Sequence, residues 1–330
     1  MIASNRNHYA DSKAAASVDV VIVNWNTGEQ LRSCLKSIFP TLRGASISQV
    51  VVVDNASSDG SADAIEGLDI PLRILRNPTN RGFAAACNQA AAGSAARYIL
   101  FLNPDTRLMP DSLARAVRFL EQPENERIGI VGIQLLNDTG QVARTCARFL
   151  TAGMIARKMI GLEHSSRSPW MSHFMVEWDH QTSRQVDHVM GAFFLVRRDL
   201  FVMLGGFDEQ FFVYLEDLDF SLRAKQAGFD SFYLADTHMY HKGGGASEQI
   251  KAKSLYYALS SRILYGYKHF DRWTATLLML GTLLVEPFSR LAFAAFRGSL
   301  DQLAQTIKAY ALLWRAVPRK LAVTRRENAR

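Results

Sequence analysis

A chain of 330 residues, 48% hydrophobic and 21% charged, has the make-up of an ordinary globular protein with enough apolar side chains for a sizeable core. Its net charge of +7 is uneven: Arg315, Arg319, Lys320, Arg325, Arg326 and Arg330 against Glu327 carry five of the seven charges, so the near-neutral body excludes the basic groove of a nucleic-acid reader and the basic end suits an acidic membrane surface. Cys34, Cys87 and Cys146 have no C-x-x-C spacing and residues 1–17 hold no apolar stretch of signal-peptide length, which argues against structural zinc and secretion and for a flexible leader on a cytoplasmic protein.

Val18 to Val23 reads as the first strand, ending in Asn24-Trp25-Asn26-Thr27-Gly28. Thr27 and Gln30 match a capping box for a helix carrying Leu31, Leu35 and Ile38. Gln49 to Val53 is the second strand and ends at Asp54-Asn55, opening a run of turn formers. Leu72 to Leu75 is the third. Asn77-Pro78-Thr79-Asn80-Arg81-Gly82 then turns the chain into an alanine-rich helix from Phe83 to Ala92. Tyr98 to Leu102 is a short apolar run of the kind buried in a parallel sheet, and it stops at Asn103-Pro104-Asp105. Asp111 is placed to cap a helix reaching Glu121, and Ile128 to Ile133 forms another strand.

Periodicity fades between Asp138 and Asp187, so Trp170, Trp178, His164, His173 and His180 are assigned to the loops and helices of a variable pocket, the histidines as surface residues. Order returns with a strand from Gly191 to Arg197, the turn Gly205-Gly206-Phe207-Asp208-Glu209, and a helix from Glu216-Asp217-Leu218-Asp219 to near Gly228. Leu234 to Tyr240 leads to His241-Lys242-Gly243-Gly244-Gly245, a candidate closing loop.

Strands alternating with helices predict an α/β fold with a doubly wound, mostly parallel sheet, whose ligands bind beyond the carboxyl ends of the strands. Asn24 to Asn26, Asp54 with Asn55, and Asn103 with Asp105 all stand at such ends. Read alone, Asn-Pro-Asp is a turn, and acids in a first helical turn answer the macrodipole. The apolar stretch Phe211 to Leu215 nevertheless starts the acidic helix inside the protein, where acids are costly unless used. A dinucleotide fold would need G-x-G-x-x-G after the first strand, and a P-loop would need G-x-x-x-x-G-K-[ST]; neither is present. A bound diphosphate would then have to be met by something other than a glycine cradle, such as a metal on Asp105. His241 is a candidate further ligand, with His238 its rival.

Val51-Val-Val-Asp54-Asn-Ala-Ser-Ser-Asp-Gly60, Asn80-Arg-Gly-Phe-Ala-Ala-Ala-Cys-Asn88, Leu102-Asn103-Pro-Asp105, Gly205-Gly-Phe-Asp-Glu209 and Glu216-Asp217-Leu-Asp219, in that order, resemble glycosyltransferase family 2, with the GT-A fold, and within it the bacterial rhamnosyltransferase-like branch. The resemblance covers residues 18–247. It implies an inverting transferase that moves a sugar, L-rhamnose from dTDP-rhamnose or else a sugar from a UDP donor, to a glycan or polyprenyl-linked acceptor with the help of Mg2+ or Mn2+. On the donor side it implicates Asn24, Trp25, Asp54, Asn55, Asn80, Arg81, Gly82, Asn88, Asn103 and Asp105. Asp54 would accept from the base, Trp25 would lie beside it, and Asp105 with His241 would hold the metal. Asn103 stands where the family's first acid stands and brings no charge. Asp217 maps to the general base, and Gly191, Glu216 and Asp219 to the acceptor side. Glu216 and Asp219 would raise the pKa of Asp217, while the metal and the helix start would lower it.

The resemblance divides the chain into a leader (1–17), a catalytic domain (18–121 for the nucleotide and 122–247 for the acceptor) and a helical, basic region (248–330). In that last region the apolar run from Thr274 to Val285 is interrupted by Glu286, Pro287 and Arg290, which makes it too short to span a bilayer and better suited to interfacial helices on the inner membrane face. Packing of these helices on the catalytic domain or in a homodimer is the alternative, as a non-catalytic sugar-nucleotide-binding subunit is for the whole chain.

Overall fold

The computed structural model describes residues 16–327 apart from 64, 66, 163–171 and 244–249. Among the described residues nine strands form one sheet: β1 (Ser17–Asn24), β2 (Ser46–Asp54), β3 (Leu72–Arg76), β4 (Tyr98–Leu102), β5 (Thr106–Leu108), β6 (Ile128–Leu136), β7 (Arg184–Val186), β8 (Phe193–Arg197) and β9 (Asp230–His241). Their order is β3-β2-β1-β4-β8-β6-β9-β5, with β7 also on β9. β3, β2, β1 and β4 run parallel, as does β6 with β9, whereas β8 lies antiparallel between β4 and β6. The expected mostly parallel sheet is therefore mixed at its centre.

The β-branched runs that predicted these strands are buried on both faces, as a covered sheet requires. Val18, Val20 and Ile22 face a core shared with Leu31 and Leu35 of α1 (Glu29–Ile38) and Leu113 and Val117 of α3 (Ser112–Leu120). Val21 and Val23 face the other core, with Ala84, Ala86 and Cys87 of α2 (Phe83–Ala91). The alanines let that helix lie close to the strands. Phe101, Phe201, Phe207 and Phe220 fill the same core, in ring pairs 4.8–5.4 Å apart.

Two expected caps are absent. Gly28 precedes α1 with φ +54° and no side-chain cap, while the Thr27 hydroxyl donates to the Asn24 side chain instead. Asp111 likewise makes no side-chain cap on α3. In the stretch without periodicity lie α4 (Ala152–Met159) and β7. His180, expected at the surface, is fully buried, stacked on Trp178 with centroids 4.1 Å apart and accepting from the Cys146 amide. His164 and Trp170 fall outside the described residues.

After α5 (Arg198–Met203), α6 (Glu216–Gln226) and β9 come α7 (Lys251–His269), α8 (Arg272–Leu284), α9 (Glu286–Phe296) and α10 (Leu300–Glu327). α7 is bound to the sheet domain: Ser261 donates to the Val213 carbonyl, and Lys268 and His269 both meet Asp219. α8 and α9 meet at Val285, which keeps right-handed helical angles. Together they give a 25-residue helical stretch, Arg272–Phe296, containing an 18-residue window of mean hydropathy 1.5, long and apolar enough by length and composition to cross a membrane. The sequence expectation of a run too short for this counted Glu286 and Pro287 as breaks. In the structure Pro287 sits in the first turn of α9, where its missing N–H costs nothing, and Glu286 turns inward between Arg262 and Arg290.

Glu286 is fully buried, yet its two guanidinium partners outweigh that burial and hold its pKa below the usual value. Arg262→Ala should cost about 3 kcal/mol in urea unfolding at pH 7, because it leaves a buried carboxylate half-compensated. A depressed folded-state pKa stabilises above the unfolded value of about 4.3 and loses its effect as pH falls below it. The gap between wild type and variant should therefore close in acid.

Candidate active site

A cavity of about 800 Å³ opens beyond the carboxyl ends of β1, β2 and β4, at the rim where the sequence put it. Trp25, Asn55, Asn80 and Gly82 line one side, Asn103, Asp105 and His241 another, and Gly191, Glu216 and Asp217 a third. Lys253, Ser254 and Tyr257 of α7 also face it, so the C-terminal helical region supplies part of the wall.

Asn55 organises one wall of the cavity. Its Nδ2 donates to Asn80 Oδ1 and the Gly82 carbonyl, both at 3.0 Å, while its Oδ1 accepts from Asn77 Nδ2 and the Arg81 amide. That ring of bonds holds the 77–82 turn against the end of β2. The turn also touches the acid-bearing segment, since the Phe83 amide donates to the Phe212 carbonyl at 2.6 Å. Gly82 is required at this crossing: its φ is +87°, and a Cβ would lie 2.5 Å from the Phe212 oxygen.

Five predicted residues do not line the cavity. Asn24 and Asp54 bond to each other at 3.0 Å behind it, with Asn24 also donating to Ser57 and Ser61. Arg81 carries its side chain out to Gln89. Asn88 clamps Phe207, donating to its carbonyl at 2.8 Å and accepting from its amide at 2.9 Å. Asp219, expected on the acceptor side, points away: it is fully buried among Arg223, Lys268 and His269, which hold its pKa low against the upward push of burial. The helical period separates it from Asp217, because residues two apart on a helix face different directions.

Asp105 and His241, distant in sequence, are joined by the β5–β9 pairing, in which Thr106 lies opposite His241 and the Lys242 amide donates to the Asp105 carbonyl. His241 Nε2 stands 3.4 Å from Asp105 Oδ1. A carboxylate oxygen and an imidazole nitrogen converging on one cavity wall suit Mn2+ or Mg2+ when diphosphate oxygens complete the shell. Among the described residues no third His, Cys, Asp or Glu joins them. The expected closing loop lies mostly outside the described residues, in 244–249.

The two acids at the start of α6 are delivered by strained backbone. Tyr214 and Leu215 are consecutive non-glycine residues with φ +69° and +67°, a costly conformation that turns Glu216 and Asp217 into the cavity. Asp217 Oδ1 accepts from the Leu218 amide at 2.8 Å and Oδ2 from the Gly191 amide at 3.0 Å. Burial pushes its pKa up, but His188 and these two amides outweigh burial and hold it down. Glu216, nearly fully buried and with Oε2 unpartnered, is pushed well above the usual range by burial and then by the charge of Asp217. Of two adjacent acids, one is pushed toward its protonated form and the other toward its ionised form.

Sequence reasoning missed His173 and His188, which also line this cavity. His173 was expected at the surface, yet burial and then the charge of His188 lower its pKa to about 4. His173 lies in the stretch without periodicity and His188 just beyond it, and only the cavity lining marks them.

Residues 19–203 match the sequence profile of Glycosyl transferase family 2. The chain belongs to that family. Among its relatives is the N-acetylglucosaminyl-diphospho-decaprenol L-rhamnosyltransferase of Mycobacterium tuberculosis, 28% identical over 274 residues that span 78% of this chain and 87% of the relative. The rhamnosyltransferase WbbL of Escherichia coli is 28% identical over 53% of this chain and 66% of its own length. The S. aureus TarS 1-349 structure in complex with UDP-GlcNAc superposes with a TM-score of 0.51 at 17% identity, covering 89% of this chain and 79% of that one, a likeness of fold. The chain is thus a glycosyltransferase of GT-A fold, as its ordered motifs implied.

At Gly191, whose amide holds the Asp217 carboxylate, an added Cβ would come 2.7 Å from Asp217 Oδ2. Gly191→Ala should therefore lower kcat at least tenfold by shifting the carboxylate while leaving donor affinity within twofold. Steady-state kinetics beside calorimetric titration of the donor would check this.

Proposed function

We propose that this glycosyltransferase moves L-rhamnose from dTDP-rhamnose, with inversion, to a hydroxyl of a polyprenyl-diphosphate-linked glycan in cell-surface polysaccharide synthesis. The observation that carries the reading is the Glu216–Asp217 pair on the cavity wall, with Asp217 ionised and held by two backbone amides. An ionised carboxylate fixed in this way can take the proton of an acceptor hydroxyl as its oxygen attacks the anomeric carbon. A single base and a single displacement invert the configuration. The names of the Mycobacterium tuberculosis and Escherichia coli relatives support the sugar, and the former supports a lipid-linked acceptor.

The remaining roles follow from position. Trp25 and the Asn55–Asn80 ring bound the donor's side of the cavity, and Asp54 anchors that loop through Asn24. Asp105 and His241 would hold Mg2+ or Mn2+. When bound, that cation would supply positive charge to the departing nucleoside diphosphate, for which this chain has no glycine cradle. Glu216, protonated, has an O–H to donate to a sugar hydroxyl.

The membrane reading rests on α8 and α9. Trp273, Leu277, Leu280, Leu284 and Phe288 recur every three or four residues and are all exposed, forming one apolar stripe. Exposed Arg272, Arg297, Lys308 and Arg315 lie on the same helical region. Such a face suits a helix lying in an anionic interface. Spanning is disfavoured because it would carry Glu286 and its arginines into hydrocarbon.

With dTDP-rhamnose, Mn2+ and synthetic polyprenyl-diphospho-N-acetylglucosamine, the wild type should release nucleoside diphosphate only when acceptor is present. Asp217→Asn should lower release by at least a thousandfold with donor binding intact, and Asp105→Ala should abolish the Mn2+ enhancement of donor binding. Normal turnover by the Asp217 variant would sink the reading. Separately, the wild type should co-sediment with phosphatidylglycerol vesicles, and Leu277→Asp combined with Phe288→Asp should cut the bound fraction about tenfold. Equal sedimentation of the two proteins would argue against the stripe.

A further inference from the structure

His188 is a buried imidazole with a constrained pattern of hydrogen bonds. Its backbone is pinned by reciprocal bonds with Ala147, N–H to O at 3.1 Å and O to N–H at 3.0 Å. Its ring is thereby set between two groups of α6: Nδ1 lies 2.9 Å from Ser221 Oγ, and Nε2 lies 3.5 Å from Asp217 Oδ2. Ser221 Oγ also lies 3.0 Å from the Asp217 carbonyl. A carbonyl only accepts, so that bond takes the single hydroxyl proton of Ser221. The Nδ1–Ser221 bond must then be donated by the ring. In a neutral imidazole this leaves the proton on Nδ1 and the lone pair of Nε2 facing the Asp217 carboxylate.

Two lone pairs facing each other across 3.5 Å make a site for one proton. We propose that His188 is a positioning residue that acts through Asp217, orienting the carboxylate and taking over the proton it collects from the acceptor. The inference rests on the reading of Asp217 as the general base. In the step, the acceptor O–H bond breaks, and its electron pair forms the new C–O bond at the anomeric carbon. The electron pair of the old glycosyl–phosphate bond leaves with the nucleoside diphosphate. The proton goes to the Asp217 carboxylate and from Oδ2 to Nε2 of His188, leaving an imidazolium against a restored carboxylate. Water removes that proton between turnovers. A separation of 3.5 Å is long for a hydrogen bond, as catalytic contacts often are before substrate binds.

The surroundings leave His188 as the proton's destination. Asp217 faces its ring from α6 with Glu216 beside it, whose pKa is pushed up by burial and then by the charge of Asp217. His173, the other cavity imidazole, resists protonation because burial lowers its pKa to about 4. From the sheet, β8 presents the uncharged Phe194 ring, 6.5 Å away. Cys146, beside the pinning Ala147, is held as a thiol by burial. The helix thus supplies both partners of the ring one turn apart, Asp217 and Ser221, while the sheet side holds the ring still.

The test compares His188→Asn and Ser221→Ala with wild type, using dTDP-rhamnose, Mn2+ and synthetic polyprenyl-diphospho-N-acetylglucosamine. His188→Asn should lose about 100-fold in kcat with donor Kd unchanged. Its acid limb of kcat should move to lower pH, because one of two coupled proton acceptors is gone. Ser221→Ala should lose about tenfold. Independently of turnover, 15N shifts of the His188 ring, assigned by their loss in His188→Asn, should show the Nδ1–H tautomer. A wild-type kcat with an unmoved acid limb in a folded His188→Asn protein overturns the inference, as does an Nε2–H tautomer. Should His188→Asn fail to fold, an unchanged kcat in Ser221→Ala overturns it. If Asp217→Asn is inactive while His188→Asn keeps full turnover, this inference alone falls. Normal turnover by Asp217→Asn removes the base reading as well.

Discussion

The constraint on which the site depends is the close approach of the Gly191 backbone to the Asp217 carboxylate. The amide donates at 3.0 Å, and no side chain fits between the two. The approach is possible because the segment entering α6 takes two consecutive left-handed residues, which aim the first helical turn into the cavity. Strain of this kind persists only where surrounding contacts over-determine it. Here the Phe83–Phe212 backbone bond and the Ser261–Val213 bond grip the segment from α2 and α7. The donor loop, the acid-bearing turn and the C-terminal helices are thereby one mechanical unit.

Electrostatics follow from that geometry. Glu216 and Asp217 are neighbours in one apolar environment, where two negative charges are not sustained together. Asp217 receives two backbone amides, Glu216 has an oxygen without a partner, and the negative charge is favoured on Asp217. Asp219, in the same first turn, is neutralised on the far side by Arg223, Lys268 and His269. One acidic cluster in sequence is three different groups in space: a carboxylate held by two backbone amides, an acid whose pKa burial raises, and a buried anchor for α7.

The same division separates structural from ligand-facing residues on the donor side. Asn24, Asp54 and Asn88 belong to ordered motifs, yet their side chains hold loops together, whereas Asn55, Asn80 and Asn103 reach the cavity. At the C-terminus, Glu286 breaks an apolar run in sequence and completes a buried ion pair in the structure. The helix continues through it, and its exposed apolar stripe lies on the opposite face.

Local patterns alone determined every described strand but the three-residue β5 and β7, because β-branched runs ending in polar turns are buried on both faces of a covered sheet. The same patterns put Asp105 and Asn55 at the carboxyl-end rim and Asp217 at the start of a helix, and the order of the motifs identified the family. Tertiary structure alone decided what depends on partners distant along the chain: the antiparallel entry of β8, the meeting of Asp105 with His241 across β5 and β9, and the inward turn of Asp219. It also placed His188, just beyond the stretch where periodicity fades, between Ser221 and Asp217. Hydrophobic period reports only which face of an element is buried, and the partner of a buried polar group is set by how elements pack.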